Sequence, residues 1–284
     1  MKQASIFHRL EYSYEQEVLL SPQVLYLHPR QDSFCELEHL DLEIYPKPSK
    51  LSTHHDAEGN TQQVAVFDAP TNVLIVELKA KMKLQSFNPF DFFFVPKETS
   101  KLPFRYTTEQ ETVLSPYFAK EMLPSEVVLL SNELVYKSEQ FTAAFLMAAI
   151  EFISKNISYE IRETGRANPS ELTLLSKKGS CRDFSILFSD LCRAQGLATR
   201  FVSGYYVGQD SEYQDQSHHL HAWVEVYLPG GGWRGYDPTQ NEVVCGNHIA
   251  LATSFDLQNI PPLSGFYTGN SASILKTIVD LKMC

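Results

Sequence analysis

The 284-residue sequence has few cysteines and no closely spaced pair of them. No C-x-x-C motif occurs, and the five cysteines are spread over the whole chain: Cys35, Cys181, Cys192, Cys245 and Cys284. An odd, scattered set argues against a disulfide framework and against a structural zinc site. We therefore expect free thiols in a reducing compartment, with one of them available for chemistry.

The sequence also lacks a long apolar run and an excess of positive charge. No stretch approaches the roughly 20 apolar residues of a membrane-spanning helix, and the first residues do not resemble a signal peptide. The formal net charge is −10, and the basic residues form no stripe. Such a chain does not attract nucleic acid or anionic membranes by bulk charge. We expect a cytoplasmic protein with neither kind of partner, and the sequence leaves its oligomeric state open.

The first part of the chain is rich in β-patterns. Up to about residue 105, short runs alternate apolar and polar residues, as in 10–15 and 40–44, and turn signals separate them. This pattern predicts an N-terminal antiparallel β-sandwich. Residues 106–137 contain prolines and show no clear period, so we expect a connector there.

Residues 138–284 are predicted to form an α+β core and a C-terminal tail. Apolar residues recur at helical spacing from about Glu139 to Lys155, on nearly every side. This pattern predicts a largely buried helix with Ser138 as its cap.

A second helix is predicted to begin at Cys181. Its apolar residues, from Phe184 to Cys192, again recur at helical spacing. Ser180 is a suitable N-cap, and Asp183 lies three residues further on, close to a capping box. Cys181 then occupies the first helical position, where unpaired N–H groups and the helix dipole favour a thiolate. Cys192 falls on the apolar stripe and is expected to be inert.

Two neighbouring strands carry a histidine and an aspartate. Residues 220–228 alternate in the manner of a strand that includes His221. A turn at 229–232 leads to a returning strand that ends at Asp237. Because paired strands lie about 5 Å apart, His221 and Asp237 can be neighbours if the register brings them level.

A thiol, an imidazole and a carboxylate are the groups that nucleophilic catalysis requires. Cys181 would be the nucleophile, His221 the base and Asp237 the group that orients the base. Taken singly, each has a plainer interpretation as a packed or solvated residue; their conjunction favours the catalytic hypothesis. A zinc site using His218, His219 and His221 is a weaker alternative, because the spacing matches no ligand motif. We expect no metal and no cofactor.

Four motifs follow one another in the second part of the chain: residues 179–184 (GSCRDF), 200–205 (RFVSGY), 221–229 (HAWVEVYLP) and 237–239 (DPT). In order and spacing they resemble the bacterial transglutaminase-like superfamily. The resemblance covers residues from about 140 to 262. The β-rich N-terminal region is similar, more loosely, to the domain that often precedes this core.

The resemblance implies a papain-like core in which a cysteine-bearing helix packs on an antiparallel sheet. It implies the same three roles for Cys181, His221 and Asp237, in acyl transfer through a thioester to water or an amine. The expected substrate is a peptide or protein amide. Hydrolysis is the first hypothesis. The alternatives are transfer of a protein glutamine's acyl group to an amine, and a non-catalytic scaffold or binding protein.

Two features depart from the family pattern: the first removes an arginine of the family, and the second weighs against crosslinking. Many relatives have a Gly-Arg pair where this chain has Ser254-Phe255. The tryptophan that helps to hold the oxyanion in animal transglutaminases has no counterpart that we can identify. Tyr205, Trp223 and Trp233 are expected to line the substrate cleft, although each can equally belong to the core.

Overall fold

The computed structural model describes residues 2–118, 122–162, 165–208 and 220–283. Within these ranges the fold is mixed α and β, with sixteen strands in four sheets and five α-helices. Among the described residues, no helix has the length and apolar character needed to cross a membrane.

The largest sheet combines the two ends of the chain. Its long strands run antiparallel in the order β16–β1–β6–β3, which are Ser273–Met283, Lys2–Leu20, Thr71–Leu84 and Cys35–Tyr45. The short strand β15 (Tyr267–Thr268) pairs with the far end of β1. Buried and partly exposed residues alternate along β1 from Ala4 to Leu10, as expected for a strand with one covered face.

A smaller sheet covers part of that face. Its antiparallel order is β14–β2–β5–β4, formed by Leu263–Ser264, Gln23–Leu25, Thr61–Val66 and Lys50–His55. Leu25 and Ala65 of this sheet share one apolar cluster with Ile6 and Leu10 of β1. The antiparallel β-structure predicted for the N-terminal region is confirmed.

The last strand, β16, lies in the N-terminal sheet, whereas the sequence analysis grouped the C-terminal residues with the core as a tail. Eleven residues of β1 pair with β16 on one side, while β6 pairs on the other. Without β16, β1 would be an open edge with unpaired N–H and C=O groups. The C-terminal strand thus completes the sheet that the N-terminal strand begins.

The core sheet lies between helices and the N-terminal sheet. Its antiparallel order is β12–β11–β10–β9–β13, formed by Glu242–Val243, Gly232–Asp237, His221–Leu228, Thr199–Tyr206 and His248–Ser254. One face packs against α2 (Ser125–Lys137), α3 (Thr142–Asn156) and α5 (Cys181–Arg193). The other face, through Ile249 and Leu251 of β13, joins the cluster of the N-terminal sheet.

The remaining elements are short. Two more helices are α1 (Thr108–Leu114) and α4 (Ser170–Ser176). A parallel pair, β7 (Ser158–Tyr159) and β8 (Lys178–Gly179), leads directly into α5. This pair fixes the path of the chain just before Cys181.

The predicted connector at 106–137 contains two helices, α1 and α2, which the sequence pattern did not indicate. Helix α2 buries Val127, Ser131 and Leu134, and the polar Ser131 interrupts the apolar pattern by which a buried helix is recognised. The Ser131 hydroxyl donates to the carbonyl of Leu191, at 2.7 Å. A buried serine is therefore accommodated by a hydrogen bond that the sequence pattern does not reveal.

The start of α3 is also corrected. The predicted helix began at Glu139 with Ser138 as its cap, whereas α3 begins at Thr142 and Ser138 ends α2. Glu139 and Gln140 have φ values of 50° and 66°, in the left-handed region that cannot continue a right-handed helix. These two residues form the turn between the two helices.

The pairing of β16 gives a test of its contribution to stability. Val279 is 2% exposed and Ile274, on the same strand, is 68% exposed. Val279→Ala should lower the free energy of unfolding by about 1.5 kcal/mol, since two methyl-sized groups leave the core at roughly 0.8 kcal/mol each. Ile274→Ala, a larger deletion, should change it by less than about 0.5 kcal/mol. Equal losses in denaturant titrations would contradict the assignment of β16 to the core of this sheet.

Candidate active site

Cys181 is the first residue of α5, as predicted. The N-cap residue Ser180 donates its backbone N–H and its hydroxyl to Oδ2 of Asp183, at 2.7 and 2.9 Å. This side of the capping box holds the chain in the turn that precedes the helix. The thiol of Cys181 is thereby placed beside the N-terminal end of α5, where the helix dipole favours negative charge.

Asp183 also fastens the preceding loop to the helix. Its Oδ1 accepts the backbone N–H of Asn168 at 2.6 Å and pairs with the guanidinium of Arg162. The Asp183 side chain is fully buried, so these donors take the place of the water that would otherwise solvate its oxygens. Its predicted role as a capping carboxylate therefore extends to anchoring residues 162 and 168.

His221 and Asp237 are brought together by the hairpin of β10 and β11. His221 is the first residue of β10 and Asp237 the last of β11. The Nε2 atom of His221 lies 2.6 Å from Oδ2 of Asp237, and both side chains are buried. Nε2 therefore faces Asp237, and the Nδ1 atom is left for a group on the other side of the ring.

Cys181 lies near His221 and, through its side chain, favours the protonated form of the ring. Burial lowers the pKa of His221, but the Asp237 carboxylate and Cys181 outweigh it and raise the pKa to about 10. Burial raises the pKa of Asp237, yet the two histidines beside it hold that pKa well below its usual range. Near neutral pH, the site thus favours an imidazolium between an ionised carboxylate and a sulfur.

A second histidine, His248, contacts the same carboxylate. It is the first residue of β13, and its Nε2 atom lies 2.9 Å from Oδ2 of Asp237. The sequence analysis did not identify it. A histidine at the start of an apolar strand is the only signal that the sequence offers, and this signal does not say which side chain the histidine contacts.

His221, Asp237 and His248 could in principle hold a metal ion, because one ligand atom of each lies within 4.8 Å of the others. However, both Nε2 atoms are at hydrogen-bonding distance from one carboxylate oxygen, at 2.6 and 2.9 Å. Hydrogen bonding accounts for this arrangement without an ion. His218 and His219, the other members of the predicted alternative, lie outside the described residues.

A cavity of about 480 Å³ lies over Cys181 and His221. Its walls are mainly apolar and come from both parts of the molecule, including Leu10 of β1 and Leu275 of β16. Three arginines and no acidic residue line it within the described part of the chain: Arg162, Arg166 and Arg182. The N-terminal sheet is thus a wall of the candidate active site, which the sequence analysis did not predict.

None of the three predicted wall residues lines this cavity. Tyr205 is fully buried and its hydroxyl lies 2.9 Å from Nδ1 of His8, between the core sheet and β1. Trp223, 2% exposed, stacks beside His221 with ring centroids 6.1 Å apart. Trp233 packs against Tyr227 elsewhere on the sheet. Aromatic type alone did not distinguish a core residue from a wall residue.

Arg182 combines the two roles that the sequence left open. It lines the cavity, and its guanidinium donates to the carbonyls of Gly165 and Arg162 at 2.7 and 2.6 Å. At the family's Gly-Arg position, Ser254 is fully buried, and the backbone N–H of Phe255 donates to Glu58 at 3.0 Å. This segment serves here as a backbone contact with the N-terminal region.

The comparisons with known proteins agree with this architecture. Residues 130–238 match the Transglutaminase-like superfamily, and residues 4–83 match the Bacterial transglutaminase-like N-terminal region. The chain therefore contains a transglutaminase-like core and, before it, a bacterial transglutaminase-like N-terminal region.

Relatives and solved structures extend the similarity over the whole chain. An uncharacterised protein of Mycobacterium tuberculosis is 26% identical over 97% of this chain and 91% of the relative. Another, from Mycobacterium leprae, is 29% identical over 48% of this chain and 49% of its own length. The crystal structure of a candidate cysteine protease from Cytophaga hutchinsonii superimposes with a TM-score of 0.70. It is 18% identical and covers 99% of this chain and 90% of that one, which shows a shared fold.

The two cysteines of α5 provide a matched test of thiol reactivity. At neutral pH, iodoacetamide should alkylate Cys181, which lines the cavity, and spare Cys192, which is fully buried. Burial raises the pKa of the Cys192 thiol well above its ordinary value, so its reactive thiolate is suppressed. Peptide mass spectrometry of the wild type, Cys181→Ala and Cys192→Ala would give the sites. Labelling of Cys192 at a rate like that of Cys181 would contradict this description.

The raised pKa of His221 predicts a specific pH dependence. The imidazolium should persist from neutral pH up to about 10 and be lost above it. Because folding favours the protonated form, its stabilising contribution is complete below pH 6.5, the ordinary value, and disappears as pH rises through about 10. The anionic probe iodoacetate should therefore alkylate Cys181 more slowly as the pH rises through about 10, where the imidazolium is lost.

The matching control removes the imidazole. In His221→Ala the alkaline fall in the iodoacetate rate should be absent, because no imidazolium attracts the probe. A fall of the same size in His221→Ala would show that another group causes it.

Proposed function

We propose that this protein is a cysteine-dependent acyl-transfer enzyme whose reaction is the hydrolysis of amide or peptide bonds. One observation carries the proposal: His221 lies between Asp237, at hydrogen-bonding distance, and Cys181, with which it interacts. Cys181 and His221 both line the cavity. Cys181 would be the nucleophile, His221 the acid and base, and Asp237 the orienting carboxylate.

The reaction would proceed through a thioester. The sulfur of Cys181 attacks the amide carbonyl carbon, and backbone N–H groups in the first turn of α5 stabilise the resulting oxyanion. The tetrahedral intermediate collapses as His221 protonates the departing amine, leaving an acyl group on Cys181. Water, deprotonated by His221, then attacks the thioester, which releases the carboxylic acid and returns the thiol. The net reaction consumes one amide and one water.

The ionised Asp237 would serve both halves of this cycle. Its Oδ2 holds Nε2 of His221, which would leave Nδ1 to exchange the proton with the sulfur. Its charge stabilises the imidazolium that forms whenever sulfur gives up its proton. The fold of the Cytophaga hutchinsonii protein, described as a candidate cysteine protease, supports the same class of reaction.

The cavity suggests the kind of substrate. Its apolar walls, including Leu10 and Leu275, suit an aliphatic or aromatic side chain near the scissile amide. Arg166 is exposed at the cavity, and the lining arginines favour a carboxylate nearby. We therefore propose peptides with an apolar residue and an acidic residue close to the cleaved bond.

Transfer to an amine uses the same first half-reaction and differs only in the second acceptor. A non-catalytic scaffold would keep the contacts without turnover. The proposed hydrolysis is thus distinguished from transfer by the acceptor, and from a scaffold by formation of the thioester.

A chromogenic peptide library with varied apolar and acidic residues tests this proposal. The wild type should release the reporter group, whereas Cys181→Ala and His221→Ala should lose roughly 1,000-fold or more of that activity. Cys192→Ala, on the same helix, should retain it. Acid quenching should trap an acyl group on Cys181 by mass.

Two other results would overturn it. Efficient incorporation of a fluorescent primary amine into a glutamine-bearing protein, with little hydrolysis, would establish transfer instead. No acyl-enzyme and no reporter release from any library member, with folded protein, would favour the scaffold.

A further inference from the structure

Asp237 accepts more hydrogen bonds than an orienting carboxylate requires. Its Oδ1 takes the backbone N–H groups of Thr239 and Gln240, at 2.9 and 3.2 Å. Its Oδ2 takes both His221 and His248, at 2.6 and 2.9 Å. One histidine would complete a Cys-His-Asp series, so the second needs its own explanation.

The direction of the hydrogen bond from His248 follows from the charge on Asp237. The surrounding donors hold the pKa of Asp237 far below its usual range, so its carboxylate is ionised and can only accept. Both histidines must therefore present an N–H at Nε2. Because both N–H groups contact the same oxygen, each histidine weakens the attraction between that oxygen and the other histidine.

The opposite edge of the His248 ring faces a second carboxylate. Its Nδ1 atom is buried without a hydrogen-bond partner and lies 3.8 Å from Oε1 of Glu242, which is also buried without one. Burial raises the pKa of Glu242. His248 thus lies between the ionised Asp237 and a carboxyl group just beyond hydrogen-bonding distance.

Aromatic side chains restrain the ring of His248. Trp223 meets it edge-on with centroids 4.9 Å apart, and Tyr206 does so at 5.0 Å. The His248 side chain is completely buried. These contacts leave its Nε2 atom directed at Asp237, and they give Trp223 a supporting role behind the site.

We propose that His248 is a positioning residue for the reaction, acting through Asp237. Its Nε2–H fixes the Asp237 carboxylate in line with His221 and draws part of the negative charge away from the His221 ring. The inference rests on the proposed function. His221 would otherwise face the full charge of Asp237 and would give up its proton to the leaving amine less readily.

The titratable groups around this pair are few and come from several elements. They are Cys181 on α5, Tyr206 on β9, Asp237 on β11, Glu242 on β12 and Cys245 in the following loop. Tyr206 and Cys245 have raised pKa values through burial and nearby negative charge. Both shifts favour the neutral forms of these two groups, so neither adds a negative charge beside His221 near neutral pH.

Two amide substitutions separate positioning from simple filling of space. In His248→Gln the terminal amide reaches the place of Nε2 and can donate to Asp237. In His248→Asn the amide reaches only the place of Nδ1 and cannot. His248→Gln should keep kcat within about threefold of wild type, while His248→Asn should lower kcat roughly 10-fold or more with KM little changed.

A second readout needs no substrate. The alkaline fall in the iodoacetate alkylation of Cys181 should move to higher pH in His248→Asn, because Asp237 then directs its full charge at His221. It should stay near the wild-type position in His248→Gln. The same pair at another fully buried histidine, His8→Gln and His8→Asn, should leave this profile unchanged.

The outcomes distinguish the inference from the proposed function. Equal behaviour of folded His248→Gln and His248→Asn in kcat and in the alkylation profile would overturn the positioning role alone. Absence of any His221-dependent alkylation profile in the wild type would overturn the proposed function. If His248→Asn does not fold, the alkylation profile of His248→Gln decides. A profile displaced from that of the wild type, with an unchanged melting temperature, would contradict the inference. A profile in the wild-type position would support it.

Discussion

The candidate active site depends on a carboxylate that has been removed from water. Asp237 is fully buried, and moving such an ion into the protein interior costs several kcal/mol unless other groups replace its hydration. Two backbone N–H groups and two histidine rings supply that replacement. The need to solvate this carboxylate therefore holds together the end of β11, the turn after it and the starts of β10 and β13. The same four donors keep the carboxylate ionised, and its charge raises the pKa of His221.

The second constraint is that the core sheet is covered on both faces. Helices α2, α3 and α5 cover one face, and the N-terminal sheet covers the other. Because β1 and β16 pair, the first and last strands of the chain together form this cover. Leu10 and Leu275 extend it to the cavity. The N-terminal region therefore both shields the core and shapes the volume next to Cys181.

Much of the site followed from local sequence because its elements have strong local signals. The capped start of α5 at Cys181 and the hairpin with His221 and Asp237 were predicted from periodicity and turn residues, and the structure has them at those positions. Helix α2 was missed because its buried Ser131 depends on a carbonyl of α5 for its hydrogen bond. The local sequence of α2 does not indicate that partner, which lies 60 residues further along the chain.

The sequence by itself determined which residues can carry the chemistry and on which elements they lie. Helix capping and strand alternation act over a few residues, so Cys181, His221 and Asp237 could be placed without knowing the rest of the chain. Only the tertiary structure decided which groups meet. The second histidine on Asp237, the pairing of β16 with β1 and the burial of Tyr205 beside His8 all join residues far apart in sequence. Such contacts are set by how sheets and helices cover one another, which no local pattern records.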